Sequence, residues 1–458
     1  MMKNRPSSQD SSPAAMTKTR RSLWYSGLHT LGTNLITTGL MVIGGILIAR
    51  ALGPSGKGSY DLVIATTTLF EVILDFSLQA GATYVVARGE AAPGSLALRL
   101  MLIAPCQGLI AAALLFFLRG MGYSAALLPP HMGNQAIIAI AISLTFLELS
   151  NYWRAILIGL QEIIKVNHLE VIVRALPLFL IGAAIGASHF RRQQASALVF
   201  VWIHVATLIL TSLILSYSLI PFFSRGKTGF RELVAFALPC YLGSLSQFLN
   251  YRLDVFMVSF FIGVEGVGLY TLAVNLAQLI WLISHAGAKV LLPKVAASQE
   301  AASQNARSTA RVTRLILVVS LAVALFLSAL VDFMLPLVYG EEFRRSIAPF
   351  LWLLPGIVAF STVHVLASYI AGIGKPRINL FIALAGLFFT IVFDLFLIPR
   401  FGIIGAALAS TISYSISATL SIWFFKHQSG IDLRDILFIT KEDIESAILS
   451  LGELYQRL

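Results

Sequence analysis

The chain has 458 residues, of which 57% are hydrophobic and 12% charged, and its mean hydropathy is +0.83. A soluble domain carries about 25% charged residues. One this apolar could not keep its surface wet, so a soluble globule is excluded in favour of a polytopic membrane protein. The net charge of +11, from 33 Lys and Arg against 22 Asp and Glu, is the excess that cytoplasmic loops collect, and no nucleic-acid partner is expected.

Residues 1–22 are polar, rich in Ser and Pro, and lack the apolar core of a signal peptide. They read as a disordered cytoplasmic lead-in. A spanning helix needs roughly 20 mostly apolar residues. That rule predicts twelve spans, at 28–49, 60–86, 97–118, 135–158, 168–187, 195–218, 233–262, 267–290, 313–338, 349–371, 378–398 and 402–425. The fourth is the least apolar, because it holds Glu148 and Arg154. With the N-terminus inside, the outer loops hold eight Lys and Arg, among them Arg50, Lys57, Arg344 and Arg345. Arg174 and Arg252 lie within spans, and the other 23 of the 33 fall on or near the inside. Both termini are then cytoplasmic. Cys106 and Cys240 sit in apolar stretches and read as small buried residues, not as a disulfide or metal site. After Phe425 the chain turns polar, and an amphipathic helix is expected with Thr440 as N-cap and Asp443 at the capping-box position.

"ALGPSGKGSYDL" (Ala51 to Leu62) suggests a phosphate-cradling loop, with its lysine among glycines. A shift of 210 residues places it on "FIGVEGVGLYTL" (Phe261 to Leu272), aligning Gly53, Gly56, Gly58, Tyr60 and Leu62 with Gly263, Gly266, Gly268, Tyr270 and Leu272. Lys57 has no counterpart, since Val267 stands there. The order G-x-x-G-x-G between two membrane helices is also not the dinucleotide fingerprint. The glycines therefore read as a tight extracytoplasmic hairpin, repeated. The fold expected is all-α, with twelve transmembrane helices in two parallel six-helix repeats around a central cavity. The divisions are a lead-in (1–22), an N-terminal bundle (23–220), a cytoplasmic linker (221–232), a C-terminal bundle (233–426) and an amphipathic tail (427–458).

With "PLVYGEEFRRSIAPFLWLLPG" (Pro336 to Gly356), "IAGIGKPRINL" (Ile370 to Leu380) and "LIPRFGIIGAALASTISY" (Leu397 to Tyr414), these segments resemble the polysaccharide-biosynthesis flippases. Those belong to the multidrug/oligosaccharidyl-lipid/polysaccharide exporter superfamily. The resemblance covers nearly the whole chain after about Arg20. It implies a multi-pass protein of the bacterial cytoplasmic (inner) membrane. Such a protein flips a polyprenyl-pyrophosphate-linked oligosaccharide between leaflets by alternating access, without ATP hydrolysis. Its partners would be the lipid-linked glycan, membrane lipids, and a glycan polymerase or export machinery.

Ionisable groups inside spans are costly, which makes each a functional candidate. In span eight, Thr271, Asn275, Gln278, His285 and Lys289 recur at helical spacing as one continuous stripe. In span seven, Ser244, Gln247, Asn250 and Asp254 share a face, and Arg252 points elsewhere. The equivalent N-terminal stripe holds Asp61, Thr68, Glu71, Asp75 and Gln79, so it is acidic where the other is basic, and the echo of Asp75 is His285. This divides the candidates. Arg252, Lys289, His285, Arg174, Gln278, Asn275, Gln247 and Asn250 would receive pyrophosphate and sugar, and Asp75, Glu71 and Asp254 a coupling ion. Interhelical hydrogen bonding is the competing role for the same polar residues. Glu170 and Arg174, four apart, read as an intrahelical pair, and Asp332 and Asp394 as interfacial. Acids dominating the cavity would instead indicate a multidrug and toxin extrusion antiporter of the same superfamily. No metal spacing, nucleophile elbow or Walker loop appears, so neither an enzyme nor a cofactor is expected.

Overall fold

A computed structural model describes residues 13–190, 195–297 and 302–438 of the chain. The described residues form α1 (Pro13–Asp75), α2 (Leu78–Ala87), α3 (Pro93–Gly120), α4 (Gly133–Gly159), α5 (Ile163–Phe190) and α6 (Ala197–Leu219). They continue as α7 (Phe230–Phe261), α8 (Val264–Gln278), α9 (Trp281–Ala297), α10 (Ala302–Tyr339) and α11 (Ile347–Gly372). The last are α12 (Pro376–Phe401), α13 (Ile403–Ser429) and the short α14 (Leu433–Leu437). Helices are what such apolar runs must form, because lipid offers no partners to backbone N–H and C=O groups. Among the described residues ten helices are long and apolar enough to cross a membrane, or eleven when the bent pair Val264–Gln278 and Trp281–Lys289 counts as one span.

The first of these runs, Gly32–Asp75, has 44 residues, against roughly 20 needed for one crossing. Gly53 interrupts it, with φ 62° and ψ −178°. Gly263, before α8, takes nearly the same conformation, φ 92° and ψ −175°. That region of backbone space is essentially closed to residues with a Cβ. These two glycines make the turns. The others of the repeat lie inside helices and have a different task. A Cβ on Gly58 would stand 1.7 Å from the Val264 carbonyl oxygen, and one on Gly268 would stand 2.0 Å from that of Pro54. Gly58 and Gly268, like Pro54 and Val264, are 210 residues apart in the sequence. α1 and α8 thus cross in direct backbone contact, each glycine receiving the carbonyl of the other helix.

α4 packs on α1, α2, α3 and α6, and α11 packs on α8, α9, α10 and α13. Of their most apolar windows, 61% and 67% is buried, so these are interior helices. This explains the polar fourth span: Glu148, Ser150 and Asn151 face protein, not lipid. Two helices are broken at their middle. α1 gives way to α2 at Phe76 and Ser77, both in left-handed conformation with φ of 49° and 58°. α8 and α9 meet at a 45° bend. The span-eight stripe is therefore not continuous, since Gln278 and His285 lie on opposite sides of the bend.

Other expectations also fail. α1 runs back to Pro13, into the segment expected to be a disordered lead-in. Cys106 is exposed and Cys240 half-buried, where both were expected to be buried. Thr440 and Asp443 lie outside the described residues. The part of the tail described before them forms α14, whose Ile436 is fully buried, and Arg314 of α10 donates to the Asp435 carbonyl.

Candidate functional site

Lys57 is the first departure from the sequence reading. It was expected in an exposed loop, yet it is buried in the second arm of α1. It forms an ion pair with Asp61, one helical turn on. Its Nζ also donates to Thr271 Oγ1 at 3.2 Å, and the Thr271 hydroxyl donates to Asp61. Asp61 and Thr271 are repeat equivalents, so this clasp sits at the same crossing as the glycines. Nearby, Arg50 Nε donates to the Val338 carbonyl at 2.8 Å, tying α1 to the end of α10. The Arg345–Glu265 pair at 2.8 Å is largely exposed and worth little.

A cavity of about 810 Å³ lies among α7, α11, α12 and α13. Its polar lining is Ser244, Gln247, Asn250, Tyr251, His364, Arg377, Asn379, Ser417 and Ser421, with Phe360 as an aromatic wall. Among the described residues no Asp or Glu lines it. Asn250 Nδ2 donates to the Ala383 carbonyl at 2.6 Å, which fixes the amide. A chain of contacts then crosses the helices. Gln247 Nε2 donates to the Tyr251 hydroxyl at 3.4 Å. That hydroxyl lies 3.3 Å from His364 Nε2, and His364 Nδ1 lies 2.8 Å from Ser284 Oγ on α9. Tyr251, Trp281, Phe360 and Tyr414 pack ring against ring beside it. Arg377 sits in the first turn of α12, where free N–H groups add partial positive charge. The preceding Lys375 donates to Gln428 near the end of α13, so the arginine lies at the tail end of the molecule. Fixed amides, hydroxyls and aromatic rings suit a polyol, and Arg377 with the helix terminus suits a phosphate.

The candidates from sequence divide as follows. Gln247 and Asn250 line the cavity. His285 is exposed and packs on His364, ring centroids 4.0 Å apart, while Lys289 and Asn275 are exposed and Gln278 and Arg252 half-buried. None of these five is among the cavity lining. Arg174 is exposed, and its Nε is 3.9 Å from Glu170; the tighter partner of Glu170 is Arg154 of α4, at 2.5 Å. The intrahelical pair is thus mainly an interhelical one. Asp254 is buried and accepts from Tyr270 at 2.6 Å, from Ser410 at 3.3 Å and from the Val255 N–H at 2.8 Å. It is enclosed in protein rather than on the cavity face with Gln247. Asp394, expected at the interface, is fully buried in α12, whereas Asp332 is exposed. Glu71 and Asp75 do converge, next to Glu148, and Asn151 Nδ2 donates to Glu71 at 2.8 Å.

His364 and Arg377 were missed. The histidine had a legible signal, a lone ionisable group in an apolar helix. Arg377 belongs to the quoted segment "IAGIGKPRINL" but reads there as an ordinary basic loop residue.

Residues 178–348 match the model of a family described as polysaccharide biosynthesis proteins. The chain is 23% identical over 406 residues to a probable low-salt glycan biosynthesis flippase, Agl15 of Haloferax volcanii, covering 86% of this chain and 82% of the relative. These matches support the polysaccharide-biosynthesis flippase family. A capsular polysaccharide biosynthesis protein of Staphylococcus aureus, CapF, is 22% identical over 43% of this chain and 50% of its own length. Two solved structures share the fold of this chain. One is an inward-facing multidrug resistance MATE family transporter of the MOP superfamily, with TM-score 0.70 and 16% identity over 88% of this chain and 98% of that one. The other is the lipid II flippase MurJ in an inward closed conformation, with TM-score 0.69 and 14% identity over 87% and 89%.

Proposed function

We propose that the chain flips a polyprenyl-pyrophosphate-linked oligosaccharide from the inner to the outer leaflet by alternating access, without catalysis. The observation that carries this reading is the acid-free lining of the 810 Å³ cavity, with amides, hydroxyls and rings inside and Arg377 at the tail end. The glycan would occupy the cavity, and the pyrophosphate would meet Arg377 and the α12 N-terminus. Lys289 on α9 is a further candidate cation, and His285 packs on His364.

Twelve crossings in two parallel six-helix repeats is the architecture that accompanies this reading, with bundles at 23–220 and 233–426. The count of eleven spans becomes twelve when Gly53 is taken as a turn between two crossings. The reciprocal contacts of Gly58 with Gly268 and of Asp61 with Thr271 support the repeat. Both termini would then be cytoplasmic, in a bacterial inner membrane, with a polymerase or export machinery receiving the product. Asp75, Glu71 and Asp254 are the groups we propose for a coupling ion.

The test is reconstitution in liposomes with a fluorescent lipid-linked oligosaccharide whose glycan becomes accessible to a lectin on flipping. Arg377→Ala should slow flipping roughly tenfold to a hundredfold, since a hydrogen bond to a charged group is worth about 1.5–3 kcal/mol. Arg377→Lys should recover only part, because the ammonium cannot make the paired contact. An unchanged rate in Arg377→Ala would remove the pyrophosphate assignment. The buried acids Asp75 and Glu148, with the half-buried Glu71, favour a second reading, extrusion of organic cations. It requires that expressing cells survive toxic cationic dyes that kill controls. We expect no such protection.

A further inference from the structure

The break between α1 and α2 has no glycine to account for it. Phe76 and Ser77 hold left-handed backbone there, a conformation that residues with a Cβ adopt only when their surroundings impose it. Gln107 of α3 reaches into the break, its Nε2 donating to the Leu74 carbonyl at 2.7 Å. The same amide donates to the Tyr152 hydroxyl of α4 at 3.0 Å, and that hydroxyl can donate in turn to Gln107 Oε1 at 3.2 Å. Asp75 and Glu148 both face this hydroxyl. Glu148 is 0% exposed, and neither of its oxygens meets a hydrogen-bond partner among the described residues; Asp75 is 3% exposed, with Oδ1 in the same condition.

The surroundings do not neutralise these acids. Glu71 adds a third carboxylate on the same helix face. Arg154 is engaged by Glu170 at 2.5 Å and by Asn151 Oδ1 at 2.8 Å, and Arg174 is exposed beside Glu170. α6 brings His204, which lies against the Tyr60 ring at 6.3 Å, and α7 brings Tyr241, which donates to the Ile73 carbonyl at 3.1 Å. A bare carboxylate in such a place is prohibitively costly, so its charge must be cancelled. Among the described residues no group of three His, Cys, Asp or Glu could hold a metal ion. A proton needs only one oxygen and one neighbour.

We propose that Glu148 and Asp75 hold one exchangeable proton at the break in the second span. Its loss would leave adjacent buried charges at the point where the helix is already discontinuous, and this is the element that would rearrange. The site specifies the coupling ion of the function proposed above and rests on that reading for its purpose. Whether the proton is held does not depend on what is carried.

The experiment uses the full chain without substrate in lipid nanodiscs. Infrared difference spectra between acidic and alkaline buffer, in light and heavy water, report the C=O stretch of a protonated carboxyl group. The expected result is a deuterium-sensitive band that disappears in Glu148→Gln, shifts in Glu148→Asp and is altered in Asp75→Asn. It should persist in Glu265→Gln, a change in an exposed acid at the far end. Should Glu148→Gln fail to fold, Asp75→Asn provides the same reading. A band indifferent to both positions overturns the proposal, as does a band abolished by sodium at constant pH. A normal band in a protein that flips no glycan rejects the substrate reading and leaves the proton site standing.

Discussion

Gly268→Ala is expected to force α1 and α8 apart and to destabilise the protein by at least about 1–3 kcal/mol, the range for overpacking a filled core. The added methyl would meet the Pro54 carbonyl oxygen at 2.0 Å and the Gly58 nitrogen at 2.8 Å. Both are backbone atoms, so no rotamer change can make room. Gly58→Ala is expected to behave alike, because its methyl would stand 1.7 Å from the Val264 oxygen. Thermal unfolding in detergent measures the effect. Gly45→Ala is the control, with nothing within 4 Å of the new atom, and better helix propensity should make it neutral or slightly stabilising. Wild-type stability in Gly268→Ala would mean that the two helices do not cross where they are placed here.

Lys57→Met should be the next most damaging change. It removes the cation from a pair whose side chains are only 5% and 17% exposed. Removing one partner of a buried pair costs about 3–5 kcal/mol, and the residual exposure of Asp61 places this case near the lower end. Thr271 alone would remain to satisfy the carboxylate. The double change Lys57→Met with Asp61→Leu should recover much of the loss, since well-packed apolar residues often replace a buried pair at no net cost. A double-mutant cycle on unfolding free energy reads the coupling directly. Strictly additive single effects would show that the clasp contributes nothing. The other helix offers no substitute cation: its equivalent residue is Val267, fully buried.

Sequence by itself determined the membrane class, the approximate position of each apolar helix, and the register mark of the paired glycines. These depend on the composition of one segment at a time, and a run of about 20 apolar residues carries that information wherever it packs. The spacing of polar residues also told which of them share a helix face, as Gln247 and Asn250 do at the cavity. It could not tell what that face meets. Lys57 reads as a loop lysine until α8 is seen lying against α1, and Asp394 reads as interfacial until its face of α12 is seen packed on α7 and α13. The stripe from Thr271 to Lys289 is continuous only on an unbroken helix, and the bend after Gln278 divides it. Only the tertiary structure decided that the cavity forms within the C-terminal helices, that His364 and Arg377 belong to it, and that Glu148 joins Asp75 at a break without glycine. The physical reason is the same in each case. Helical periodicity places a side chain around its own axis, whereas its partners are set by the crossing and breaking of helices distant in the chain.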